Sequence, residues 1–143
     1  MHSTPPRVAV TRTYRFSAAH FYYDAALSQA ENERLFGKCA NRHGHGHNYR
    51  LEVTVRGPLQ TGTGMAVDLA ALDRGVEAGV LSWLDHRNLN LEVPFFAERQ
   101  PTSENLALFA FEQLRARLPG VEVARVRVYE SDDLWAEFPG DPC

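Results

Sequence analysis

A clean alternation of side chains between His45 and Arg56 constrains the fold more than any other feature of the sequence. Every second residue there is apolar, aromatic or histidine, and the residues between are mostly polar or charged. The first set is His47, Tyr49, Leu51, Val53 and Val55. Because successive side chains of a strand point to opposite faces, the pattern predicts a strand with one buried face. The segment Arg7–His20 alternates in the same way, and His20 falls on its apolar parity.

Two helices are predicted further along the chain. Asp68 is a suitable N-cap, and apolar residues follow it at helical spacing as far as Leu84. The second helix begins in the cap-rich run Pro101-Thr102-Ser103-Glu104 and ends at Pro119-Gly120.

Strand patterns return after the second helix, at Val121–Glu130 and Leu134–Phe138.

Residues 24–44, between the first two strands, are polar and irregular and are predicted to form a long loop, a feature that is usually functional in a small domain. The order strand, strand, helix, helix, strand, strand predicts an α+β domain, with antiparallel strand pairs and helices on one face.

The composition limits the classes of protein to which this chain can belong. The 143 residues, 44% hydrophobic and 23% charged, fit one domain spanning residues 1–143. The net charge of −3 argues against a general nucleic-acid binder. No apolar run approaches the roughly 20 residues that a membrane span needs, and the N-terminus lacks a signal-peptide core. We therefore expect a cytoplasmic protein without a membrane partner, in which Cys39 and Cys143 form no disulfide.

The run His43-Gly44-His45-Gly46-His47 is the densest chemical signal. Residues two apart on a strand share a face, so His45 and His47 can converge on one metal ion. His20 is the natural third ligand, since its strand can pair with theirs, and three histidines leave a coordination position open, as in catalytic zinc sites. His43 shares their parity and competes with His45 for this role. A histidine pair on a half-buried strand without a metal is the alternative.

Two further groups carry possible proton chemistry. Cys39 lies six residues before His45, within reach of a metal there, where its thiol should be more acidic and could act as a base. Asp85-His86 can form a relay with a thiolate. The structural alternatives are a small apolar side chain at Cys39 and a polar helix end at Asp85-His86.

Glu130 shares strand parity with apolar residues, where a carboxylate should have a partner or a purpose. It could accept two hydrogen bonds from an amino-amidine edge of a heterocycle, or form a salt bridge at the strand end. Glu104 lies in the first turn of the second helix, where acidic residues are favoured for structural reasons.

Five motifs occur in one order along the chain. They are Phe16-Ser17-Ala18-Ala19-His20, then Gly37-Lys38-Cys39 with five residues before His45-Gly46-His47-Asn48-Tyr49, Asp85-His86 with Asn88-Leu89, Pro101-Thr102-Ser103-Glu104-Asn105, and Val128-Tyr129-Glu130. Together they resemble the 6-pyruvoyl- and 6-carboxy-tetrahydropterin synthase family, over residues 16–130.

The resemblance implies a T-fold, an antiparallel four-stranded sheet backed by two helices. It also implies that subunits assemble as rings whose sheets join into a β-barrel, giving a homohexamer with active sites at subunit interfaces.

The resemblance also assigns residues. It implies that His20, His45 and His47 hold Zn²⁺, that Cys39 is the proton-abstracting base, and that Asp85 and His86 form its relay. It implies further that Glu130 anchors a pterin ring, with Thr102 and Glu104 nearby.

The implied substrate is 7,8-dihydroneopterin triphosphate, whose triphosphate leaves by elimination and could meet Lys38 and Arg42. The product is 6-carboxy-tetrahydropterin, as in queuosine biosynthesis, or 6-pyruvoyl-tetrahydropterin. Some queuosine-pathway members have three residues between the cysteine and HGH, a spacing that Cys39 and His43-Gly44-His45 also offer. The resemblance slightly favours the 6-carboxy product, while the five-residue spacing agrees better with the strand alternation.

Two other functions compete with this one. Related enzymes cleave a dihydroneopterin side chain for folate synthesis, but they have glutamate in place of the cysteine. A non-catalytic zinc-binding module is the second alternative, in which the histidines stabilise a strand pair and Cys39 is dispensable.

Overall fold

A five-stranded sheet forms the centre of the computed structural model, which describes residues 3–140. Its strands are β1 (Arg7–His20), β2 (His45–Pro58), β3 (Arg87–Asn88), β4 (Glu122–Ser131) and β5 (Leu134–Phe138). They lie in the order β3-β1-β2-β4-β5. The four predicted strands and their antiparallel pairing are confirmed. The two-residue β3, which no sequence pattern predicted, pairs parallel with the end of β1. Cys143 lies outside the described residues.

The helices lie mainly after β2. They are α1 (Gln29–Phe36), α2 (Leu69–Val76), α3 (Ser82–Leu84), α4 (Leu89–Glu92) and α5 (Ser103–Arg117). Both predicted helices are present: Asp68 caps α2, a π turn at Glu77–Leu81 continues it into α3, and Thr102 caps α5. Among residues 3–140, no helix is long and apolar enough to cross a membrane.

The prediction that residues 24–44 form a long loop is wrong for residues 29–40. These residues form α1 and a 3-10 turn, Gly37–Ala40. Ser28 and Glu31 form a reciprocal capping box at the start of α1, which is the sequence signal that was missed. The helix has no apolar face, because its one buried side chain is that of Asn32, so a search for apolar periodicity could not find it.

The apolar core lies between one face of the sheet and helices α2 and α5. The sheet contributes alternate residues of β2 and β4, among them Leu51, Val53 and Val126, all fully buried. Leu72 of α2 and Leu114 of α5 contribute the helical side of the core and pack against this same face. Burial of such side chains stabilises the fold by about 1.5–3 kcal/mol each.

The pairing of β1 with β2 places the histidines directly beside core residues of the same two strands. Phe16 lies opposite Tyr49, and their rings stack with centroids 4.8 Å apart. Two pairs further on, Ala18 lies opposite His47, and two pairs beyond that His20 lies directly opposite His45. Since side chains alternate along each strand, all three histidines point to the same face of the sheet as the core.

Gly57 of β2 is expected to tolerate no larger residue. A Cβ atom added there would overlap the Ala66 carbonyl oxygen, which belongs to backbone and cannot rotate away. We predict that Gly57→Ala lowers the free energy of unfolding by about 1–3 kcal/mol, as overpacking does elsewhere. Gly62→Ala is the matched control, because a Cβ there has no neighbour within 4 Å. Urea denaturation measures both, and equal stability of the two variants would contradict the prediction.

Candidate functional site

Three histidines meet where β1 ends and β2 begins. The Nε2 atoms of His20 and His45 are 3.2 Å apart, and the ring centroids of His20, His45 and His47 are separated by 4.8–5.0 Å. Two nitrogens bound to one tetrahedral zinc at 2.0–2.1 Å would be separated by about 3.3–3.4 Å. One ligand atom from each histidine and one from Glu130 all lie within 4.8 Å of one another, a grouping that could hold a metal ion.

The orientation of His20 is fixed by its neighbours. Its side chain is fully buried, and its Nδ1 lies 3.0 Å from the Pro101 carbonyl oxygen and 3.1 Å from the Tyr49 hydroxyl. A carbonyl only accepts hydrogen bonds, so Nδ1 carries the proton and the lone pair is on Nε2. Burial lowers the pKa of His20 to about 4, which keeps the imidazole neutral near pH 7.

Glu130 lies against the histidines. Its Oε1 is 2.8 Å from His47 Nε2, while its Oε2 accepts a hydrogen bond of 3.3 Å from Ser103. The β4–β5 pairing shifts between Tyr129 and Ser131, so Glu130 occupies a bulge. Bulges re-aim side chains, and here the carboxylate points to the site.

His47 Nε2 supports a metal at this position. Among residues 3–140 it is buried without a hydrogen-bond partner, since the nearby Glu130 oxygen is not in hydrogen-bonding geometry. Burial also lowers the pKa of His47, which favours the neutral imidazole that metals bind. A buried polar atom left unpaired costs about 1–3 kcal/mol, so a cation would satisfy an atom that the chain itself does not.

His43 lies away from this cluster. It is exposed in the loop before β2, where its backbone amide donates a hydrogen bond to Asn41 Oδ1. The grouping of possible ligands in the described chain contains His45 and His47 but not His43.

Cys39 lies beside the histidines on the 3-10 turn that follows α1. Its Sγ is 3.9 Å from His45 Nε2, which is its one side-chain hydrogen bond within the described chain. Burial, followed by the nearby Glu130 carboxylate, raises the pKa of the thiol. The acidic thiol expected from the sequence would therefore need positive charge that these surroundings do not themselves supply.

Asp85 and His86 are held at the edge of β1. The Ser17 amide donates to Asp85 Oδ1 at 2.9 Å, and the His86 amide donates to the Ser17 carbonyl at 2.6 Å. The first of these bonds lowers the pKa of Asp85, and His86, whose Nδ1 is 2.9 Å from Oδ1, acts in the same direction. The His86 side chain is 82% exposed and its φ of 60° is rare for a residue other than glycine. Within residues 3–140 no hydrogen bond links this pair to Cys39.

The start of α5 contributes to the site through Pro101 and Ser103, to which the sequence assigned no role. The Pro101 carbonyl contacts His20, and the Ser103 hydroxyl contacts Glu130. The Thr102 hydroxyl is used as the helix cap, accepting from the Asn105 amide, and Glu104 is exposed in the first turn. The capping pattern of this segment predicts a helix start and not a site, and the family resemblance implied roles for Thr102 and Glu104 but none for Pro101 or Ser103.

We predict that the protein binds one divalent metal ion per chain and that the His20→Ala variant does not bind it. Loss of one imidazole leaves too few neutral nitrogen ligands in the cluster. His43→Ala is the matched control and should bind the full equivalent, because His43 is outside the cluster. Elemental analysis after loading and dialysis gives the metal per chain. Metal loss in the His43 variant with retention in the His20 variant would overturn the assignment.

Similarity to known proteins covers nearly the whole chain. The family model described as "PTPS: 6-pyruvoyl tetrahydropterin synthase" matches residues 9–141. The human protein named 6-pyruvoyl tetrahydrobiopterin synthase is 42% identical over 132 residues, which is 92% of this chain and 91% of that protein. The Pyrococcus furiosus protein named dihydroneopterin monophosphate aldolase is 39% identical over 95 residues, 66% of this chain and 76% of that one.

A solved structure agrees with the fold. That of Caenorhabditis elegans 6-pyruvoyl tetrahydropterin synthase superposes with a TM-score of 0.90 at 39% identity, covering 98% of this chain and 100% of that one. The T-fold expected for one subunit is therefore confirmed. From the family model, the relatives and this superposition together, the chain belongs to the 6-pyruvoyl tetrahydropterin synthase family.

Proposed function

We propose that this protein is a zinc-dependent lyase that converts 7,8-dihydroneopterin triphosphate to 6-pyruvoyl-tetrahydropterin with release of triphosphate. The observation that carries the proposal is the meeting of Cys39 with the cluster of His20, His45 and His47. The relevant spacing is from Cys39 to His45, with five residues between, because His43 is outside the cluster. The name of the human relative supports the 6-pyruvoyl product, whereas the preference for 6-carboxy-tetrahydropterin rested on resemblance alone.

We assign the metal to the three histidines and Glu130 to the pterin ring. Three imidazoles leave a coordination position for substrate, whereas a fourth protein ligand would close the site. The Glu130 carboxylate can accept two hydrogen bonds from the amino-amidine edge of the pterin, and Ser103 orients it. Thr102 and Glu104, at the start of α5, are assigned to the same end of the substrate.

Cys39 is assigned as the base that removes a proton from the substrate side chain. Zinc, when bound, would act as a Lewis acid on the side-chain hydroxyls and make the adjacent C–H more acidic. His86 exchanges protons with Cys39 in this scheme, and Asp85 orients the imidazole through its contact with Nδ1. A working thiol fits a reducing compartment such as the cytoplasm.

We propose further that the relay reaches Cys39 from another subunit. Asp85 and His86 lie at the edge of β1, where only Ala18 and Ala19 pair with β3, so most of this edge is open. An open edge is a template for pairing with a strand of another chain.

The other edge of the sheet is suited to this pairing. β5 is an edge strand that exposes Leu134, Trp135 and Phe138. Beside β1, a groove of about 700 Å³ is lined by apolar residues that include Val8, Val10, Met65 and Leu69. Joining β5 of one chain to β1 of the next would cover both surfaces and close the sheets into a barrel, within a homohexamer.

Product analysis by mass spectrometry tests the reaction. Zinc-loaded protein incubated with dihydroneopterin triphosphate should release triphosphate, and Cys39→Ala should reduce kcat roughly 10²- to 10⁴-fold, as loss of a general base does. The mass of the pterin product separates 6-pyruvoyl from 6-carboxy-tetrahydropterin. No turnover at full zinc occupancy would reject this substrate.

The same assay separates the remaining alternatives. Side-chain cleavage, which the Pyrococcus relative's name suggests, would give a shortened pterin that keeps no triphosphate chain, and Cys39 in place of glutamate counts against it. A non-catalytic zinc module would give no product, and chelation would unfold it. The lyase is expected to stay folded after chelation, since its core is independent of the histidines.

Complementation between two inactive variants tests the shared site. Cys39→Ala and His86→Ala chains, coexpressed, should recover about a quarter of wild-type activity, because a site formed by two chains can receive its intact cysteine and its intact histidine from different subunits. Coexpression of Asp85→Ala with His86→Ala is the control and should recover nothing, since both residues belong to one pair. Absence of recovery in mixed hexamers would place the relay elsewhere.

A further inference from the structure

Side-chain amides hold three of the four residues that follow the metal-proximal end of β1. Asn90 bonds both backbone groups of Phe21, at 2.9 and 2.8 Å. Gln100 bonds both backbone groups of Tyr23, at 3.1 and 2.9 Å. Asn32 bonds both backbone groups of Asp24, at 2.7 and 2.9 Å. Amides thus replace a neighbouring strand along this segment, which satisfies backbone groups that would otherwise lack partners.

Asn32 differs from the other two amides because it belongs to the helix that leads to Cys39. It is fully buried, and it is the only buried residue of α1. Its Nδ2 also donates to the carbonyls of Leu27 and Ser28, at 3.3 and 3.0 Å. A buried amide is costly unless it is fully hydrogen-bonded, and this one uses both its oxygen and its nitrogen.

A second set of contacts fixes the 3-10 turn at the end of α1, where Cys39 lies. The Tyr22 amide donates to the Cys39 carbonyl at 2.7 Å, and the Tyr22 ring contacts Phe36 with centroids 5.9 Å apart. The unit formed by α1 and the 3-10 turn, residues 29–40, is therefore tied to Phe21–Asp24 at both ends. Because Phe21 follows His20 directly, the same short segment positions both a histidine of the cluster and the cysteine.

We propose that Asn32 is a positioning residue for Cys39, an inference that rests on the proposed role of Cys39 as the base. Hydrogen bonds fix direction as well as distance, whereas apolar packing allows sliding. Because the other residues of α1 except Phe36 are exposed, the amide sets where the helix begins relative to Asp24, and through the helix where the Cys39 sulfur lies relative to His45. Misplacement of a reacting group by about 1 Å can reduce the rate roughly 100-fold.

The test compares Asn32→Ala with Leu35→Ala in the zinc-loaded full chain. Leu35 is 64% exposed on the same helix, so its truncation changes α1 without releasing an anchor. We expect Asn32→Ala to lower kcat roughly 10- to 100-fold with KM and zinc content unchanged, while Leu35→Ala stays within about twofold of wild type. Unchanged kcat in a folded, zinc-replete Asn32→Ala protein would overturn the proposal.

Asn32→Ser is the conservative variant for the case in which Asn32→Ala does not fold. A hydroxyl can replace one of the lost hydrogen bonds, so kcat should be intermediate between wild type and alanine, or below wild type if only serine folds. Wild-type kcat in Asn32→Ser, with no folded alanine variant, would count against the proposal.

A chemical readout separates this proposal from the proposed function. The rate of Cys39 alkylation by iodoacetamide, followed by peptide mass spectrometry, reports the position and access of the sulfur without any substrate. A changed alkylation rate in Asn32→Ala but not in Leu35→Ala supports positioning even if wild-type protein does not turn over the pterin. An unchanged rate with normal wild-type turnover would reject Asn32 and leave the lyase assignment standing.

Discussion

Fourteen consecutive residue pairs join β1 to β2 without a bulge, from Arg7 opposite Pro58 to His20 opposite His45. A slip of one residue would move every side chain of one strand to the other face. The stacked pair of Phe16 and Tyr49 and the three histidines therefore depend on the same register. The apolar contacts of the core maintain this register, so the positions of the three histidines are set by apolar packing further along the strands.

Buried polar groups at the site are satisfied by segments far away in sequence. His20 bonds the carbonyl of Pro101, and Glu130 is held by Ser103 from the first turn of α5. Each contact replaces water that burial has removed, and each restricts the direction of an imidazole or a carboxylate. His47 Nε2 is the exception, which is why the metal assignment has a physical basis beyond the clustering of histidines.

The parts of the structure that sequence predicted are those with a local period. Alternation identified β1 and β2, and their pairing followed from the histidines at adjoining ends. Helix α1 has no apolar stripe, so only its capping box marked it, and β3 is too short to have a period. The bond from His20 to Pro101 joins residues 81 positions apart, a distance over which no sequence pattern acts.

The roles of single residues were less predictable for a related reason. A family resemblance proposes which residues act, but it does not show what holds them. No sequence pattern distinguishes Asn32, because an asparagine in a polar stretch is usually exposed. Its importance follows only from burial and from the four backbone groups that it contacts.

The backbone at His86 has a consequence for how this protein can vary. A positive φ at a residue with a side chain costs of order 1–3 kcal/mol, and glycine would relieve most of that strain. The side chain itself adds little to the fold, being 82% exposed. Stability and the proposed chemistry therefore make opposite demands at this position, as in other stability–activity trade-offs. Selection for thermal resistance alone would tend to replace the histidine, and a more robust protein could be an inactive one.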